Sequence, residues 1–247
     1  MTRDRNVRWA RDAATTFILA VSLAGAGLTA ARPVAAQSEV GDLPLSLTPA
    51  SPGPLMAVLL TGDGGWAAGD KAMARALAQR GVAVAGLNSA RYVDRARTPD
   101  EAANDLARIV RHFLGAWDRQ RVVLIGYSRG ADLVPFMVSR LPADLRDRIV
   151  LAALLGPGQW ASFEFSVLDL ARSHARPDTF PVQPEVAKLR GTPVLCLYGS
   201  KDRGAICRSL ADAGLARAVE HPGGHRVSGD DAPALVETIL DALPKPD

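Results

Sequence analysis

Arg121-Val122-Val123-Leu124-Ile125-Gly126-Tyr127-Ser128-Arg129-Gly130-Ala131-Asp132 is the stretch from which the fold can be read. Four consecutive aliphatic residues read as a strand buried on both faces, as in a parallel sheet. A helix is expected over Arg129–Arg140. Between strand and helix, Gly126-Tyr127-Ser128-Arg129-Gly130 puts a serine on a sharp turn, the context a nucleophile elbow requires. A Cβ on either side of Ser128 would crowd that turn. The helix that follows aims its amide dipoles at a developing anion. An ordinary glycine-rich turn is the plain alternative, and the strand before with the helix after argues against it.

Outward from this stretch, strands and helices alternate. A short edge strand is expected at Leu43–Leu47 and a buried strand at Leu55–Thr61. A helix follows over Lys71–Gln79 and a strand over Val82–Leu87. Thr98-Pro99-Asp100-Glu101 reads as a helix start, with a threonine cap, proline at the first position and glutamate three after the cap. That helix runs to about Trp117. Further strands are expected at Ile149–Leu155, Pro193–Tyr198 and Ala216–Glu220, with a closing helix over Ala232–Leu243. Alternation of this kind implies a mostly parallel sheet flanked by helices, with the site beyond the carboxyl ends of the strands. With a serine elbow in the middle, the pattern is that of the α/β-hydrolase fold. Gly156–Arg190 is the one irregular stretch, aromatic at Trp160, Phe163, Phe165 and Phe180, where this fold inserts a small cap.

A serine hydroxyl needs a general base. His112 falls inside an amphipathic helix, and His174 in the irregular stretch. His225 closes Pro222-Gly223-Gly224-His225, between the last strand and the last helix. It is the expected base, with His221 the alternative. The expected acid is Asp202, in Gly199-Ser200-Lys201-Asp202 after a strand, with Asp169 as its competitor. Ser128, Asp202 and His225 then follow the Ser–Asp–His chain order of this fold. Gly62-Asp63-Gly64-Gly65-Trp66 follows the first buried strand. The amides of Asp63 and Gly64, with that of Arg129, are the expected oxyanion hole. Asp63, Trp66, Asp132, Trp160 and Glu164 are candidate substrate contacts. The acids among them are placed to pair with a cationic group, although site acids often serve structural hydrogen bonds instead. No Gly-Lys-Ser/Thr, Gly-x-Gly-x-x-Gly or zinc-ligand spacing is present, so no metal, nucleotide or other cofactor is expected.

The N-terminus reads as a targeting segment. Arg3, Arg5, Arg8 and Arg11 precede an uncharged run from Ala13 to Ala31, and Val34-Ala35-Ala36 supplies small residues for cleavage. Residues 1–36 are therefore expected to be a signal peptide and 37–247 the hydrolase domain. An N-terminal anchor in the inner membrane is the alternative. Removing 1–36 leaves 24 basic and 24 acidic residues, so the basic character of the chain belongs to its leader and gives no argument for nucleic-acid binding. Cys196 and Cys207 are the only cysteines, and export permits a disulfide between them, with two buried thiols as the alternative.

Several of these stretches taken together resemble the bacterial virulence-protein family of VirJ and the C-terminal domain of AcvB. They are Thr61-Gly62-Asp63-Gly64-Gly65-Trp66, Gly126 to Phe136, Leu154-Leu155-Gly156-Pro157, Phe163-Glu164-Phe165, Leu197-Tyr198-Gly199, Cys207 and Gly223-Gly224-His225. The resemblance implies a periplasmic α/β-hydrolase with Ser128, Asp202 and His225 as its triad. It implies hydrolysis of the aminoacyl ester of lysyl-phosphatidylglycerol, transient contact with a membrane surface, and in some members a link to type IV secretion-system proteins. Where family members often carry a second histidine, this chain has Arg226, which leaves the base in place and alters its surroundings. A generic carboxylesterase or thioesterase acting on a small ester is the neighbouring reading, and a non-catalytic periplasmic adaptor is the reading from another class.

Overall fold

The computed structural model describes residues 39–164, 178–189 and 191–245. The expected leader, together with Phe165, Asp169 and His174, lies outside the described residues. Among the described residues a seven-stranded sheet runs in the order β1-β3-β2-β4-β5-β8-β9. Its strands are β1 (Leu45–Thr48), β2 (Leu55–Leu60), β3 (Ala83–Leu87), β4 (Arg121–Tyr127), β5 (Ile149–Leu155), β8 (Val194–Gly199) and β9 (Arg217–His221). Only β1 is antiparallel to its neighbour in this sheet. The edge strand predicted at Leu43–Leu47 is thus present, shifted towards Thr48.

The central strands explain why the sheet is covered on both faces. On β2, Met56, Val58 and Leu60 join one apolar cluster while Ala57 and Leu59 join the other. On β4, Val122 and Leu124 alternate with Val123 and Ile125 in the same way. Successive side chains of a strand point to opposite faces, so an unbroken aliphatic run needs a helix layer on each side. Helices α3 (Pro99–Ala116) and α4 (Arg129–Ser139) supply one layer through residues such as Leu106, Ile109 and Leu133. Helices α1 (Ala68–Gln79) and α8 (Ala232–Asp241) supply the other through Met73, Leu77, Leu235 and Ile239. The start of α3 is built as its sequence predicts. The Thr98 hydroxyl accepts from the Glu101 amide at 3.1 Å, and the Glu101 carboxylate accepts from the Thr98 amide at 2.7 Å.

Several short elements carry too little pattern to be read in the sequence. Helices α2 (Ser89–Tyr92) and α5 (Ala143–Arg146) are single turns. The stretch read as irregular contains a hairpin of β6 (Trp160–Ser162) and β7 (Thr179–Pro181), followed by α6 (Val182–Val186). Phe136 of α4, Phe163 and Phe180 meet edge to face with centroids 5.6–5.9 Å apart, so these aromatics hold the hairpin to the elbow helix.

The disulfide expected between Cys196 and Cys207 is formed. It ties the middle of β8 to the first residue of α7 (Cys207–Asp212), closing the loop that carries Asp202. Closing a loop of this length removes conformational freedom from the unfolded chain worth about 3 kcal/mol. Replacing both cysteines by alanine should lower the urea-unfolding free energy by about 2–4 kcal/mol. Equal stability of the oxidised protein and the double variant would contradict this.

Candidate active site

The loops that follow β2, β4, β5, β8 and β9 meet beyond the carboxyl ends of the strands, and the site residues come from them. Ser128 stands between β4 and α4 with φ of 56° and ψ of −118°. A residue other than glycine at positive φ is strained by about 1–3 kcal/mol unless its surroundings fix it. Here they do. The Ser128 amide donates to Leu155 O at 2.8 Å, and the amides of Ala131 and Asp132 donate to Ser128 O. The two flanking glycines are required by contact. A Cβ at Gly126 would lie 2.5 Å from Gly130 O, and one at Gly130 would lie 2.3 Å from Leu60 O.

Ser128 Oγ lies 2.8 Å from His225 Nε2, and His225 Nδ1 lies 2.7 Å from Asp202 Oδ2. The three side chains form one hydrogen-bonded chain. With Nδ1 donating to the carboxylate, Nε2 is the ring nitrogen that accepts from the serine hydroxyl. Asp202 is almost fully covered and His225 partly open to solvent. His221, the alternative base, turns its Nδ1 to Pro222 O at 2.8 Å. His112 is on α3, its ring edge against Phe113 and its Nδ1 3.5 Å from Glu39.

The loops bearing Asp202 and His225 are tied together. The Ser200 amide donates to His221 O and the Lys201 amide to Gly223 O, both at 2.8 Å. Two residues outside the expected triad complete the arrangement. The Tyr127 ring stacks 5.9 Å from the imidazole, and its hydroxyl donates to His225 O while accepting from the Val227 amide, both at 3.3 Å. Gly156, at φ of 61°, passes directly under the histidine–aspartate pair. A Cβ there would lie 3.0 Å from His225 Nδ1 and 3.2 Å from Asp202 Oδ2. Tyr127 is one of the two variable positions of the serine motif, so the motif itself gives no reason to mark it. Gly156 sits in Leu154-Leu155-Gly156-Pro157, where nothing local sets it apart from its neighbours.

The other expected site residues are distributed unevenly. Asp63 and Gly64 line the cleft that holds Ser128 and His225, a space of about 770 Å³ also bounded by Arg226. Arg129 is buried at the start of α4, and its Nε donates to Asp63 Oδ1. Asp132 is also buried, and its Oδ1 accepts from the Gly158 amide at 2.6 Å. That bond crosses to the loop after β5. The Trp66 ring packs over Gly86 of β3 and against the core. Trp160 pairs with Pro181 in the hairpin. Glu164 is exposed, and its backbone carbonyl accepts from the Ser162 hydroxyl at 2.9 Å. Among the described residues, no group of three His, Cys, Asp or Glu side chains is placed to hold a metal ion.

Asp70 is the one strongly perturbed acid of this cleft. It lies at the start of α1, buried, with Oδ2 accepting from the Ala67 amide at 3.1 Å and Oδ1 without a partner. Burial pushes its carboxyl up to about 6, against the pull of the backbone amides.

A mostly parallel sheet with a strained serine turn after a central strand, and Ser–His–Asp side chains joined across its loops, defines an α/β-hydrolase. Within that class, the family model for the bacterial virulence protein VirJ matches residues 54–246, and the chain belongs to this family. Solved structures agree on the fold. Est1E from Butyrivibrio proteoclasticus, with ferulic acid bound, superposes with a TM-score of 0.56 at 16% identity, over 81% of this chain and 93% of that one. The esterase domain of a Rhodothermus marinus protein gives 0.55 at 20% identity, over 79% and 88%. A thioesterase domain from the curacin biosynthetic pathway gives 0.54 at 16% identity, over 79% and 94%. At these identities the likeness is one of fold. No curated protein sequence matches the chain.

Two outcomes follow from this geometry. Gly156→Ala should slow modification of Ser128 by a fluorophosphonate by about ten- to a hundredfold, because a shift of about 1 Å in the base is enough for such a loss. Labelling at the wild-type rate would show that the imidazole tolerates the added methyl. The second concerns pH. Asp70 holds its proton in the folded state up to about 6, against 3.8 for the ordinary carboxyl. The folded chain therefore binds more protons in that window, and stability falls as pH rises through it. Asp70→Asn keeps an acceptor for the Ala67 amide and removes the buried charge. At pH 7.5 it should raise the unfolding free energy by roughly 1–3 kcal/mol and flatten the slope between pH 4 and 6. A less stable variant with the slope unchanged would overturn the assignment.

Proposed function

We propose that this chain is a periplasmic serine hydrolase that cleaves the aminoacyl ester of lysyl- or another aminoacyl-phosphatidylglycerol. The observation that carries the catalytic part is the continuous hydrogen-bonded chain from Ser128 through His225 to Asp202, opening on a cleft. The VirJ membership, the disulfide and the expected leader support the exported location and the lipid substrate.

The chemistry follows from the atoms. Ser128 Oγ attacks the ester carbonyl carbon as its proton passes to His225 Nε2. Asp202 holds the imidazole in the accepting tautomer and stabilises the imidazolium that forms. The oxyanion of the tetrahedral intermediate is received by the amides of Asp63 or Gly64 and of Arg129. Collapse expels the glycerol hydroxyl of the lipid, protonated by His225, and leaves an aminoacyl-serine. A water deprotonated by His225 then releases the free amino acid and restores Ser128. Of the three acids considered for the substrate ammonium, Asp132 is buried against the Gly158 amide, while Asp63 lines the cleft and stays a quarter exposed beside Arg129, so Asp63 is the acid placed for that role. The membrane surface is met transiently in this reading, and secretion-system proteins are candidate partners.

Purified protein should release free amino acid from lysyl- or alanyl-phosphatidylglycerol vesicles, measured by chromatography of the aqueous phase. Ser128→Ala should lower that release by about 10⁴-fold or more, since the triad acts as a unit, with the fold unchanged by circular dichroism. Rapid turnover of nitrophenyl esters without release from either lipid would replace the lipid reading by that of a generic esterase. Inactivity on every ester would leave the adaptor.

A further inference from the structure

The Arg129 side chain spans three pieces of the site. Its Nε donates to Asp63 Oδ1 in the loop after β2, and its Nη1 donates to Ser162 O at 3.1 Å and towards Glu164 O at 3.5 Å, at the end of β6. The guanidinium is buried, while the Asp63 carboxylate is a quarter exposed at the cleft. The backbone of Arg129 begins α4 directly after Ser128, and the next amide, that of Gly130, donates to Thr61 O at 3.1 Å. One residue therefore fixes the elbow's first amide through its main chain and the facing Asp63–Gly64 segment through its side chain.

We propose that Arg129 is a positioning residue whose guanidinium, by gripping Asp63 and the end of β6, sets the spacing between the two halves of the oxyanion hole. The inference rests on the serine-hydrolase reading above. Its physical ground is that Asp63 and Gly64 are the central residues of a turn closed by the Gly65 amide on Gly62 O at 3.1 Å, so their amides keep fixed directions within the turn. The side-chain anchor on Asp63 then sets where that turn stands relative to the elbow. Oxyanion donors act only when already aimed at the developing charge, and losing one costs about 10²–10³ in turnover. Arginine suits the place because its planar fork serves a carboxylate and carbonyls in fixed directions, whereas a lysine ammonium is a point donor on a flexible stem. The grip also reaches the hairpin, so a substrate group that moves the end of β6 acts on the same amides.

The test compares the wild type with Arg129→Lys and Asp63→Asn on a neutral nitrophenyl ester, which has no ammonium for Asp63 to meet. Rates are expressed per serine titrated by a fluorophosphonate, so that any misfolded fraction drops out. The strap predicts that kcat falls about tenfold or more in Arg129→Lys and less in Asp63→Asn, with KM within about twofold of wild type. Affinity for a boronic acid that mimics the tetrahedral intermediate should fall by the same factor as kcat. A merely structural role would lower the titratable fraction and leave both quantities per active serine unchanged, and that result overturns the proposal. If Arg129→Lys does not fold, Asp63→Asn decides alone, since Asp63 lies at the surface of the cleft. A wild-type protein inert towards both probe and ester removes the serine mechanism and the strap with it. An active wild type whose two variants match it removes the strap only.

Discussion

The backbone of Ser128 is held where an L-residue resists going, and the site is arranged around that constraint. A turn of this shape points the hydroxyl out of the sheet, and its neighbours have to permit it. Gly126 and Gly130 leave out the atoms that would collide. Leu155 O at the end of β5 and Thr61 O just after β2, beside the two strands that flank β4, accept the amides of Ser128 and Gly130. The strain is carried by the sheet's central three strands, whose aliphatic residues are almost all buried. A serine placed on a softer loop would relax, and its hydroxyl would lose its fixed aim at His225.

From this fixed point the other parts are positioned in turn. The aspartate and histidine loops are joined to each other by main-chain bonds, and the aspartate loop is braced by the disulfide, so the two stand in a fixed relation at the ends of β8 and β9. Tyr127 ties that unit back to the elbow, because it is the residue next to Ser128 and its hydroxyl bonds the His225 carbonyl and the Val227 amide. Arg129, on the other side of the serine, reaches the glycine-rich loop. The residues flanking Ser128 thus address opposite halves of the site, His225 on one side and the Asp63–Gly64 segment on the other. Asp70 illustrates a different economy. Its carboxylate is kept buried at the entrance of α1 against an electrostatic cost, in a fold that has many exposed acids to spare.

What was legible in the sequence follows from how locally each feature is encoded. The parallel sheet could be read because buried strands such as β2 and β4 are unbroken aliphatic runs, which need cover on both faces. The grouping of Ser128, Asp202 and His225 could be read because each sits just past a strand end, and strand ends in such a sheet converge. The hairpin β6–β7 could not be read, since three-residue strands have no usable period. The partners of Asp63 and Asp132 were equally hidden. Both acids looked available for a substrate, yet one meets an arginine 66 positions away and the other an amide 26 positions away. Spacing along the chain reports such pairings only when a motif encodes them, and neither of these is encoded.

In the proposed mechanism Ser128 is a nucleophile made reactive by His225 and Asp202. Peptide mapping by mass spectrometry after incubation of the purified protein with diisopropyl fluorophosphate tests this. A single diisopropylphosphoryl adduct is expected on the peptide containing Gly126-Tyr127-Ser128, formed as the serine oxygen displaces fluoride, and it should disappear when His225 is replaced by alanine. An unmodified Ser128 peptide, or an adduct confined to another residue, would contradict it.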